Sequence, residues 1–148
     1  MSVVRASVEV DATPEEVWAV LADPRNLPRW SKFIVSVEGV PDGGLEKGSE
    51  YTTVMRFTAL RARVLSTVVE WDPPIHSTVR LSGLLDATVT TVIGLLPGGR
   101  SRLEHEVEYR FRGGRLGQLA ARSLRLVGGA QFALRHGTLA QKRQVEGR

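Results

Sequence analysis

The sequence predicts an α+β domain, a curved antiparallel sheet of about seven strands in β-α-α-β6-α order, wrapped around a long C-terminal helix. Three observations carry that expectation. Residues 8–30, VEVDATPEEVWAVLADPRNLPRW, join a strand end to two short helices with their boundaries spelled out. Residues 33–112 then alternate polar and apolar side chains in successive runs separated by Pro and Gly turns. From about Arg115 to Gln144 the period becomes that of an amphipathic helix.

The first strand covers Ser2–Val10, with Val4, Ala6, Val8 and Val10 on one face and Arg5, Ser7 and Glu9 on the other. Thr13 is an N-cap and Pro14 takes the first helical position, where a missing N–H costs nothing. Glu15 and Glu16 suit the positive end of the helix dipole, and Val17, Trp18, Val20 and Leu21 supply one apolar face. Asp23-Pro24 stops this helix, and a second short one closes at Trp30.

Strands are expected over Phe33–Val40, Ser49–Thr58, Arg61–Trp71, His76–Ser82, Ala87–Leu96 and Arg100–Arg112. The Gly43-Gly44 and Gly98-Gly99 loops read as hairpin turns, since neither has phosphate-cradling spacing or precedes a helix. Arg61–Trp71 leaves its inward face open. Either Ala62, Val64, Ser66 and Val68 point inward, or Leu65, Val69 and Trp71 do, and only the second phase brings Arg63 in. In the final helix, Leu116, Leu119, Ala120, Leu124, Val127, Ala130, Leu134 and Thr138 form the apolar stripe, with Gly113-Gly114 before it as a hinge or cap. Gly128-Gly129 interrupts it at a cost of roughly 1 kcal/mol per Gly relative to Ala, which fits a close approach, room for a ligand, or a kink.

A chain of 148 residues without linker, repeat or low-complexity tract is read as one domain, 1–148. The lack of cysteine excludes disulfides, thiolate chemistry and cysteine metal sites. No signal peptide or membrane-spanning run is evident, so a cytoplasmic protein is expected. Charge is unevenly spread. Residues 1–109 hold 11 basic and 15 acidic side chains, a net −4, whereas residues 110–148 hold 9 basic and 1 acidic, a net +8. This basic segment is either a solvated face against an acidic body or a surface for an anionic partner. Nothing calls for DNA, and either a monomer or a homodimer is compatible with the sequence.

Trp18, Asp23-Pro24 and Trp30, with Trp71-Asp72-Pro73-Pro74 ending a middle strand, resemble the START-like superfamily of helix-grip proteins, and within it the polyketide cyclase/dehydrase and lipid-transport branch. The likeness covers residues 3–143. It implies a pocket between sheet and final helix, and no particular reaction.

Candidate site residues are polar side chains on the inward strand phases. His105 and Tyr109 share the face of Leu103, Val107 and Phe111, and Tyr51 shares that of Thr53, Met55 and Phe57. His105 with Tyr109, or alternatively with Tyr51, is the candidate acid–base pair, because imidazole titrates near neutrality. Trp30, Tyr51, Thr53, Met55, Phe57, Leu81, His105, Val107, Tyr109, Val127, Ala130 and Leu134 are the candidate ligand contacts. Arg56 and Arg80 fall on the polar phase and are expected in solvent. His76, His105 and His136 have no metal-ligand spacing, and no cofactor is implied. Three readings stay open: a binder of a lipid, polyketide or quinone-like molecule; a cyclase/dehydrase-type enzyme; or an interaction module docking through the basic helix, with Arg122, Arg125 and Arg135 as its contacts.

Overall fold

A computed structural model describes residues 2–147. Alternation and turn chemistry produce strands β1 (Ser2–Val10), β2 (Ile34–Glu38), β3 (Glu50–Phe57), β4 (Leu60–Asp72), β5 (His76–Ser82), β6 (Leu85–Leu95) and β7 (Ser101–Phe111). They form a seven-stranded sheet, ordered β1-β7-β6-β5-β4-β3-β2 and antiparallel at every step. Helix α1 (Pro14–Leu21) begins as expected at Thr13 and adds a capping box, in which the Glu16 carboxylate returns to the Thr13 N–H at 3.1 Å. The Asp23 carboxylate caps a single 3₁₀ turn, Pro24–Asn26, which runs into the short α2 (Leu27–Trp30).

The expected single C-terminal helix is instead two, α3 (Arg115–Leu126) and α4 (Gly129–Glu146). Gly128 and Gly129 adopt φ values of +104° and +85°, which no right-handed helix accommodates and which glycine adopts at little cost. The kink reading of this glycine pair is the one realised. The second expected strand is also shorter than Phe33–Val40, because residues 39–49 form the connection to β3.

Helix α4 lies along β1 and against α1 and α2, while α3 touches both β3 and β7. Those two strands are separated by β4, β5 and β6 in the sheet, so the sheet must curl around the helical layer. Two cores fasten sheet to helices. Val10, Val17, Ile93, Leu103 and Val145 close one end, and Met55, Phe57, Val64 and Ala120 close the other. The end of α4 is tied to the β1 exit, where the Asp11 N–H donates to Glu146 at 2.7 Å and, with Lys142, holds that carboxyl below its usual range.

The ambiguity in β4 has a structural cause. Its pairing with β5 shifts register between Val68 and Glu70, the mark of a β-bulge. Before the bulge, Val64, Ser66 and Val68 are buried and Arg63 is exposed, reaching Glu38 on β2. After it the phase reverses and Trp71 turns inward, with its ring 4.8 Å from that of Trp18. Both phases are therefore used in turn, and Arg63 stays out of the interior.

Candidate functional site

Between the two cores the sheet and helices do not meet, leaving a cavity of about 330 Å³. That is the low end of the range for small-molecule pockets, about 300–1,000 Å³. Its lining includes Trp18, Trp30 and Trp71 at the α1–α2 side, valines on the sheet floor and Leu134 on α4. Among the described residues, none that lines it is Asp, Glu, Lys or Arg.

Sheet register organises the floor into rows. Ser77, Thr91 and His105 are direct neighbours across β5, β6 and β7, and all three are buried. This polar row continues onto α4 through Gln141. Thr91 Oγ1 lies 2.9 Å from His105 Nδ1, and Gln141 Oε1 lies 2.7 Å from His105 Nε2. An amide oxygen only accepts, so Nε2 carries the proton and Nδ1 accepts from the Thr91 hydroxyl. Burial lowers the imidazole pKa, with the Gln141 bond opposing it in part. His105 is thus a neutral, fully engaged group. One row along, Val68, Val79, Val89 and Val107 are paired across four strands and make an apolar band.

Beyond that band, Tyr51 pairs in register with Ser66, and Ser66 with Leu81. Burial raises the Tyr51 pKa against the opposing hydrogen bond to Ser66, so the phenol stays neutral. Tyr109 lies four residues from His105 on β7, about 13 Å away at strand rise. Its ring packs edge-on against Phe111, 6.1 Å between centroids, at the end where Phe33, Phe57 and Phe111 cluster beneath α3. His105 and Tyr109 therefore face different parts of the cavity and share no hydrogen bond, since Thr91 and Gln141 occupy both imidazole nitrogens.

Of the expected contacts, Trp30, Tyr51, Thr53, Met55, Phe57, Leu81, His105, Val107, Tyr109, Ala130 and Leu134 all border this cavity. Val127 does not. It sits in the break between α3 and α4 and borders a separate hollow of about 20 Å³ with Phe132 and His136, because the glycine break turns it off the α4 face. Trp30 is locked in place by its Nε1–H, which donates to Gln144 Oε1 at 2.8 Å. Arg56 and Arg80 are exposed. Among the described residues no cluster of three His, Cys, Asp or Glu forms that would hold a metal, and no helix is long and apolar enough to cross a membrane.

Ser77, Thr91 and Gln141 escaped the sequence reading. Leu134, Thr138, Gln141 and Val145 recur at helical spacing, so the signal for Gln141 was its place in that stripe.

The sequence profile of the family described as polyketide cyclase/dehydrase and lipid transport matches residues 1–136. An uncharacterized protein of Mycobacterium tuberculosis is 29% identical over 132 residues, 84% of this chain and 90% of that protein. Among solved structures, a START superfamily protein from Mycobacterium smegmatis superposes with a TM-score of 0.68 at 17% identity, covering 98% of this chain and 97% of the other. The ZhuI aromatase/cyclase from Streptomyces sp. R1128 gives 0.71 at 17% identity, with coverage of 99% and 92%. At these identities the structural likeness shows the fold alone.

Proposed function

Since the chain belongs to the polyketide cyclase/dehydrase and lipid transport family, we propose that it binds an uncharged, mainly apolar small molecule, of lipid, polyketide or quinone-like type, in the cavity between sheet and α4. The observation that carries this reading is the lining itself, which among the described residues has no Asp, Glu, Lys or Arg and holds a neutral His105. A buried ionic group on the ligand would find no counter-charge and would cost several kcal/mol. An apolar body gains about 25 cal/mol per Å² of surface removed from water.

The polar row and the Tyr51–Ser66 pair flank the valine band, so they fix oxygen functions on the ligand at two positions. This is an orienting role. His105 has no free nitrogen with which to exchange a proton at a reacting atom, and that favours binding over the acid–base reading with Tyr109. The test is native mass spectrometry after incubation with fatty acids, quinones and aromatic polyketides. The expected result is a one-to-one adduct with an uncharged member of the set, lost in Val107→Trp, which fills the band. Retention of no lipophile by the folded protein overturns the reading.

A further inference from the structure

Helix α3 carries more apolar surface than its packing against the core uses. Its protein-facing side carries Gly117, Ala120 and Ser123, all buried, while Leu116, Leu119 and Leu126 are 53%, 43% and 78% exposed. Of its four leucines only Leu124 borders the cavity. At 3.6 residues per turn the three outer leucines lie within an arc of about 80°, and Arg115, Arg122 and Arg125 fill an adjoining arc of about 80°. Phe132, at the start of α4, is 52% exposed.

Among the described residues these arginines stand without an acidic partner. The sequence contains no Asp or Glu from residue 109 to residue 145. Asp86 is engaged by Arg110 and Arg112 at 3.5 and 3.7 Å, and among the described residues no carboxylate pairs with Arg115, Arg122 or Arg125. Glycine pairs at positive φ, Gly113-Gly114 and Gly128-Gly129, delimit the helix at both ends.

From this we propose that α3 is a docking helix for an anionic lipid bilayer surface. A bilayer satisfies both arcs at once, taking leucine side chains at the acyl boundary and arginine head groups at lipid phosphates. A second copy meeting the same face about a two-fold axis would set these arginines against their own equivalents. An RNA backbone would satisfy the arginines and leave Leu119 and Leu126 in water. Seating α3 on the bilayer also brings the cavity, through Leu124, next to the membrane surface, though the docking itself does not depend on what the cavity holds.

The experiment is flotation of the full chain with phosphatidylcholine vesicles and with vesicles in which phosphatidylglycerol replaces part of that lipid. Binding is expected to the anionic vesicles alone and is expected to weaken at high salt as the charges are screened. Arg122→Glu/Arg125→Glu should weaken it at least about twentyfold, at about fivefold per basic residue near an anionic surface. Leu119→Ser/Leu126→Ser, with charge unchanged, should weaken it about tenfold or more per leucine buried. All four positions are exposed, so both variants should melt as the wild type does. The proposal is overturned if the wild type stays with the unbound fraction. It is also overturned if the leucine variant floats like wild type, which makes the contact purely electrostatic, or if that variant converts a dimer to a monomer, which assigns the face to a second copy. RNA retention without vesicle binding overturns it as well.

Discussion

The neutrality of His105 predicts a share of acid lability that disappears when that one ring is replaced. The imidazole is 7% exposed, accepts from Thr91 and donates to Gln141, and its pKa is lowered from 6.5 chiefly by burial. The unfolded chain therefore binds a proton near pH 6.5 that the folded chain refuses, and stability falls as pH drops below that value. If the folded site stays neutral down to pH 5.5, the drop from pH 7.5 reaches at most RT ln 10, about 1.4 kcal/mol. For a chain of this length, at roughly 2 cal/mol/K of unfolding entropy per residue, that corresponds to about 5 °C in Tm.

The assay is thermal or urea unfolding across that pH range for wild type and His105→Gln, an amide that can still both donate and accept. Carboxylates such as Glu146 titrate in both proteins and cancel in the comparison. The wild type should lose up to about 5 °C more than the variant on acidification. Coincident pH profiles would refute the reasoning, since they would mean that His105 takes up its proton equally well in the folded state.

Two local predictions follow from backbone geometry. Thr13→Ala removes the α1 cap and its reciprocal bond to Glu16, and should cost about 1 kcal/mol in urea unfolding. Gly117→Ala would place a Cβ 2.2 Å from the Arg112 carbonyl oxygen, so α3 must shift. The expected cost is about 1–3 kcal/mol, with faster amide exchange confined to α3; a variant as stable as wild type would show that α3 is not held this closely against the end of β7.

Much of this was legible in the residues, for identifiable reasons. β7 read cleanly because one face is wet and the other buried, so Leu103, His105 and Val107 alternate with Arg102, Glu104 and Glu108. β4 did not, because a bulge reverses the phase and both of its faces carry apolar residues. The break at Gly128 was marked by composition, but its geometry was not, and Val127 was misplaced as a result. The polar row was the harder part. Ser77 and Thr91 become meaningful only when register sets them beside His105, and pairing across strands is not written along one strand. The exposed leucines of α3 were hidden similarly: Leu116 and Leu119 fit an amphipathic stripe, and only the three-dimensional packing reveals that they face outward.

The central claim, that the cavity selects an uncharged ligand, is tested most directly by calorimetric titration with a matched pair at pH 8, a long-chain methyl ester and its free acid. The two differ in one charge and little else. The lining offers no cation to a carboxylate, so the ester should bind at least about tenfold more tightly, a difference of about 1.4 kcal/mol. A carboxylate that binds as tightly as its ester would contradict the account.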